Sequence, residues 1–231
     1  MDLLGQFQYF SGLDALAIAC LLISWVGLGY LIEIPPASRP STASLMSEYR
    51  RHWMVQMITR QPRIFDASIL ATLRQGTTFF GSACLIAIGT GLAAIGNAER
   101  LQGVAEDLDL HAPEIIWEVK ILLSLFVITS AFMNFIWSNR LFGYSGVMMA
   151  SVPNDTEAPE ALPRAHKAAE LNIAAAKSFN RGLRAVYFAL GSLGWLLGPE
   201  ALLVTTALTI MTLVRREFFS RSRDVILRPE S

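Results

Sequence analysis

Only two cysteines occur in 231 residues, Cys20 and Cys84, each inside an apolar run and neither beside a histidine or a second cysteine. That spacing excludes a zinc cluster or a disulfide framework, and both thiols read as small buried hydrophobes. Histidine is almost as scarce. His52, His111 and His166 all fall in polar stretches, so no histidine pair is available to hold a haem within a membrane. His52 with Met46, Met54 and Met57 offers soft ligands on one helix, but interfacial residues and an apolar methionine face are the preferred reading. Charge is thin as well, at 16% of residues against roughly 25% in ordinary soluble domains. Nineteen basic and nineteen acidic residues cancel, which removes any reason to invoke nucleic acid. The nucleophile elbow, the phosphate loop and the HExxH zinc motif are all missing. No cofactor or metal is expected, and no catalytic residue stands out.

What the chain does have is long apolar runs, with hydrophobic residues at 53% of the total. The first covers residues 13–32 and ends at Glu33 and the Pro35-Pro36 pair, which cannot continue a helix. Twenty residues at about 1.5 Å each cross a hydrocarbon core of roughly 30 Å. The N-terminus, Met1-Asp2-Leu3-Leu4-Gly5, lacks the basic start of a cleaved signal, so this run is expected to stay. A second run, 77–96, has no charge and repeats small residues at Ala83, Ala87 and Gly91, the spacing of closely packed membrane helices. It reads as a central span. A third, 115–137, carries Trp117 and Trp137 near its ends, where tryptophan favours the interface.

Residues 185–214 hold one charge, Glu200, in Leu197-Gly198-Pro199-Glu200. A single span would strand that carboxylate near mid-bilayer at about 2.5–3.5 kcal/mol. Gly198 suits a helix end and Pro199 a helix start, so two short spans, 183–197 and 200–214, are expected to turn there. A re-entrant hairpin is the alternative. The fold expected is therefore all-α, a polytopic bundle of five spans forming one domain, N-terminus outside and C-terminus inside. Seventeen of the nineteen lysines and arginines then fall in cytoplasmic segments 33–76, 138–182 and 215–231 or at the start of the fourth span, leaving Arg100 and Lys120 outside. Residues 97–118 form an acidic outer connection.

The segment 41–75 repeats Leu45, Tyr49, Trp53 and Met57, with arginines around that stripe, and is expected to lie amphipathically in the headgroup plane. Arg60, Arg63 and Asp66 share a helix face, as an ion-paired group, an anionic headgroup contact or a dedicated site for an anionic ligand. Asn134, Ser138, Asn139 and Arg140 end the third span, Asn180, Arg181 and Arg184 start the fourth, and Arg215, Arg216 and Glu217 end the fifth. These three helix ends lie at one depth and define a candidate inner pocket, although capping and interfacial anchoring predict the same residues. Gly143-Tyr144-Ser145-Gly146 reads as a turn. Gly194 and Gly198 form a GxxxG that either pairs two copies into a helix-mediated homo-oligomer or packs the hairpin.

Several motifs together resemble a known family: Arg51-His52-Trp53-Met54, then Arg60, Arg63-Ile64 and Asp66, then Thr78-Phe79-Phe80-Gly81-Ser82. Asn180-Arg181-Gly182-Leu183-Arg184-Ala185-Val186-Tyr187-Phe188 and Arg215-Arg216-Glu217-Phe218 continue the pattern. The chain resembles, over roughly residues 10–225, the bacterial membrane family catalogued as domain of unknown function 599. The resemblance implies a bacterial inner (cytoplasmic) membrane location and brings no activity. The expected function is non-enzymatic binding of membrane lipids, anionic ones included, or of a partner through the basic cytoplasmic face. A small-solute transporter or channel ranks second, because no ionisable residue lies deep in a span. A membrane-embedded enzyme ranks third.

Overall fold

Ser11 opens the first helix with a reciprocal cap: its hydroxyl accepts from the Asp14 N–H, and the Asp14 carboxylate accepts from the Ser11 N–H at 2.9 Å. The computed structural model describes residues 10–97 and 114–229, and every regular element among them is helical. Helix α1 covers Gly12–Glu33 and α2 covers Thr42–Gln56, continued by a 3-10 turn over Met57–Thr59. Helix α3 runs Ile64–Ile95, α4 Glu114–Ala150 and α5 Ala161–Ser192. A 3-10 turn over Leu193–Leu197 precedes α6, Pro199–Phe218, and α7, Arg221–Ile226. Most of the expected acidic outer connection, with His111, lies outside the described residues.

Three helices, Gly12–Glu33, Ile64–Ile95 and Ile116–Ala150, are long and apolar enough to cross a membrane. The contacts fix their directions. Gly91 meets Leu125, Gly81 meets Phe135 and Gly146 meets Leu70, so α3 and α4 are antiparallel. Ser138 and Ser145 of α4 donate to the backbone carbonyls of Ala175 and Ala168 of α5, at 2.7 and 3.0 Å, which reverses direction again. Trp195 donates to Asp14 at 2.7 Å at one end of α1, and Arg184 donates to Glu33 at 2.5 Å at the other. Helices α1, α4 and α6 therefore run one way, and α3 and α5 the other.

The break at Gly198-Pro199 falls where the sequence places it. Gly198 has φ +123°, a conformation that suits glycine, and Pro199 begins α6. Gly194 packs against Thr205 and the Ala201 carbonyl of α6, so its small size serves the turn-back within the chain.

Some expectations change, and several helices run past the apolar runs. The apolar run 77–96 is only part of α3, which starts at Ile64, and the third run continues to Ala150 through Gly143–Gly146, which is helix and not turn. Residues 183–192 likewise finish a helix that began at Ala161. At about 1.5 Å per residue, α4 is about 55 Å long, well beyond a hydrocarbon core of roughly 30 Å. The excess lengths of α3, α4 and α5, with α2, build a second lobe around Met54, Met57, Phe142, Ala165 and Ala168. Helix α2 packs against this lobe, with Met54 and, in the turn that follows it, Met57 fully buried. Helix α3 is peripheral and not central: Ala83 and Ala87 face outward, while Gly81 and Cys84 make its contact face. Trp117 is buried beneath Lys120, whose ammonium lies 5.2 Å from its ring centre.

Candidate functional site

The polar end of the bundle is organised by Glu33, the last residue of α1. Its carboxylate accepts from Arg181 Nε at 2.8 Å and from Arg184 Nη2 at 2.5 Å. Hydrogen bonding to Glu33 holds the Arg181 guanidinium pKa above its usual value. The Arg184 side chain is only 6% exposed, so Glu33 is the counter-ion that permits its burial. Ser41 ties the next segment down by donating to the Ile32 carbonyl at 2.7 Å, and its oxygen caps α2 through the Ser44 N–H.

This pair divides two cavities. One, of about 250 Å³, is walled by α1, α2, α5 and the end of α6. Arg50, Lys177, Asn180 and Glu217 face it together with Glu33 and Arg184. Glu217 accepts the Ala43 N–H at 3.1 Å at the first turn of α2. Burial nevertheless pushes its carboxyl pKa up, against the pull of that N–H and of Arg184. Arg50 donates to the side-chain carbonyl of Asn172, a fully buried residue that also lies 3.4 Å from Ser145 Oγ. Burial lowers the Arg50 pKa. The second cavity, of about 300 Å³, opens sideways between Val26, Tyr30 and Asn134, with Glu33, Arg181 and Arg184 at its base.

A third concavity, of about 440 Å³, lies at the end of α6. Arg215, Arg216 and Arg221 line it beside Met211 and Phe219, and no carboxylate does. Arg216 also hydrogen-bonds to the Tyr187 hydroxyl.

The residues singled out from sequence thus fall in several places. Asn180 and Arg184 meet in the first cavity; Asn134 joins Arg184 in the second; Arg215 and Arg216 share the third. Asn139 accepts from Arg74 at 3.2 Å, and Arg140 bonds to Tyr144 beside the Trp137 ring, both away from these cavities. Arg60 pairs with Asp66, which is fully buried and also accepts from Trp53 Nε1 at 2.7 Å. Arg63 donates to the carbonyls of Val152 and Pro153 at 2.6 and 2.7 Å and clamps the turn after α4. That group holds the second lobe together.

Sequence reasoning missed Arg50, Lys177 and Glu33 as site residues. The signal existed for one of them: Arg50 shares the buried face of α2 with Met54 and Met57 at helical spacing. Among the described residues no group of three or more His, Cys, Asp or Glu side chains is placed to hold a metal ion.

The fold is thus an all-helical one with three membrane-length apolar helices and a polar, arginine-rich end. The chain matches the family model described as a protein of unknown function, DUF599, over residues 16–222, and belongs to that family. No curated protein and no solved structure matches the chain.

Proposed function

We propose that this protein is a five-span protein of the bacterial inner membrane, N-terminus outside, that binds anionic lipid headgroups without catalysing a reaction. Five crossings are supported by the alternating helix directions. Leu190, Leu193 and Leu197 at the end of α5, and Val204, Leu208 and Met211 on α6, expose large apolar side chains, as lipid-facing helices do. Between Asp14 and Glu33 lie nineteen residue steps, about 28 Å of helix, which matches the hydrocarbon core. With the arginine-rich end in the cytoplasm, the positive-inside bias is satisfied.

The observation that carries the lipid reading is the cleft at the end of α6. Three exposed arginines meet there directly below exposed Met211, so a phosphate and an acyl chain have adjoining surfaces. At about 1 kcal/mol per arginine near an anionic surface, the three together favour anionic over neutral lipid by on the order of a hundredfold. The transporter reading fits less well. Near the Glu33 end the core is closed by aromatic rings, with Phe80, Phe135 and Phe179 in mutual contact at 5.5–5.7 Å. The buried Ser124 and Ser192 hydroxyls bond to each other at 2.7 Å.

Native mass spectrometry of the full chain from nanodiscs with equal phosphatidylglycerol and phosphatidylcholine tests the reading. Phosphatidylglycerol is expected to remain bound, and the triple variant Arg215→Gln, Arg216→Gln, Arg221→Gln is expected to lose it. Equal retention of both lipids by the native chain refutes it. Impermeant thiol labelling of single cysteines at positions 100 and 225, in a background lacking Cys20 and Cys84, tests the threading. Position 100 is expected to label from outside and position 225 only after lysis.

A further inference from the structure

The cavity behind Glu33 shares no lining residue with the arginine cleft and calls for a different occupant. We infer that it is a binding site for a small phosphate-bearing molecule, with Arg50 as the anchoring cation and Lys177 and Asn180 completing the contact from the opposite wall.

Arg50 is the starting point. Among the described residues no carboxylate lies within 4.0 Å of its guanidinium, and its one side-chain partner is the neutral Asn172 amide. Removing a cation from water without a counter-ion is costly, and folds ordinarily meet it with an acid, as Glu33 meets Arg184. Here a fully buried amide holds the guanidinium in place while its remaining N–H groups face the cavity. They are not among the sealed, unpartnered polar atoms. A guanidinium so held is positioned for an anion from outside the chain.

The opposite wall repeats the pattern. Lys177, Asn180 and Arg184 sit at helical spacing on one face of α5. Arg184 is satisfied by Glu33, whereas neither the Lys177 ammonium nor the Asn180 side-chain amide has a protein hydrogen-bond partner among the described residues. Three cations therefore face two carboxylates. One of these, Glu33, is committed to arginines, and the other, Glu217, accepts the Ala43 N–H. The local balance is positive.

Size and shape narrow the ligand. At about 250 Å³ the space is below the roughly 300–1,000 Å³ of pockets for drug-sized ligands. Donors come from two walls, the α2 side and the α5 side. A planar carboxylate satisfies one of them, while a tetrahedral dianion directs oxygens to both. The phosphate belongs either to a soluble molecule entering from the polar side or to a lipid whose headgroup is a bare phosphomonoester.

Calorimetric titration of the detergent-purified full chain with inorganic phosphate and with glycerol phosphate probes the first source. Nanodiscs of phosphatidylcholine with or without phosphatidic acid probe the second. Saturable binding in either arm is expected and identifies the source. Arg50→Gln and, separately, Lys177→Gln are expected to weaken binding about tenfold or more, the effect of losing one charge-assisted contact. Lys177 is exposed, so its variant tests the site even where Arg50→Gln fails to fold. The arginine-cleft triple variant is expected to bind inorganic phosphate and glycerol phosphate as the native chain does, which separates this site from the proposed lipid cleft. No saturable binding in any arm overturns the inference, as does binding that Lys177→Gln leaves unchanged.

Discussion

Replacing Glu33 by glutamine removes one negative charge from beneath two arginines while leaving the shape of the side chain almost intact. The two arginines respond differently. The Arg181 side chain is 53% exposed, and water takes over most of what Glu33 provided; the loss there is about 0.5–1 kcal/mol. The Arg184 side chain is 6% exposed and becomes a buried cation without its counter-ion, for which breaking a buried pair costs about 3–5 kcal/mol. Glu217 lies close enough to offset part of this. The expected loss is about 3 kcal/mol, measured as the shift in unfolding free energy on titration from mild detergent into dodecyl sulfate, followed by tryptophan fluorescence. Arg181→Gln is the internal control and should cost about 1 kcal/mol or less. Adding Arg184→Met to Glu33→Gln removes the stranded charge and should recover about 2 kcal/mol, a coupling a double-mutant cycle reads directly. The reasoning is refuted if Glu33→Gln costs less than about 1 kcal/mol and the two substitutions simply add.

Three further outcomes follow from other contacts. Gly182→Ala places a Cβ 2.8 Å from the buried Phe135 ring and should cost about 1–3 kcal/mol in the same titration, whereas Gly29→Ala, with its nearest neighbour at 3.8 Å, should be nearly neutral. Gly194→Ala meets Thr205 at 2.5 Å and the Ala201 backbone carbonyl at 3.0 Å, and should loosen the α5–α6 turn-back by a similar amount. Glu217 carries a pH signature. Because burial raises its pKa, the folded chain holds this proton more tightly than the unfolded chain does. Its stabilisation is therefore complete below the ordinary carboxylate value of 4.5 and is lost as pH rises through the elevated one. Stability profiles of the native chain and Glu217→Gln should diverge across that window, with the variant flatter; parallel profiles count against the assignment.

Local chemistry was legible wherever a residue acts on its immediate neighbours. Pro35-Pro36 follows the end of α1 and Gly198-Pro199 breaks the last apolar stretch; each follows from backbone geometry within a few residues. The apolar runs were equally plain, since membrane length is counted along the chain. Helix ends were harder. Residues 143–146 look like a turn, yet they continue α4, because helices emerging from a bilayer can go on packing against each other. The site itself was half visible: helix ends at one depth brought Asn180, Arg184 and Glu217 together, but not Asn139 or Arg140.

Composition and periodicity settled that this chain is helical, with apolar segments of membrane length and arginines gathered at their polar flanks. Those properties depend on the order of residues along one strand of chain. Which arginine has a carboxylate and which has only an amide depended on the tertiary structure. Arg50 and Asn172, or Glu33 and Arg184, are more than a hundred residues apart, and only packing brings such pairs within hydrogen-bonding distance. Charge balance inside a cavity is a property of the helices around it, and no single segment carries it.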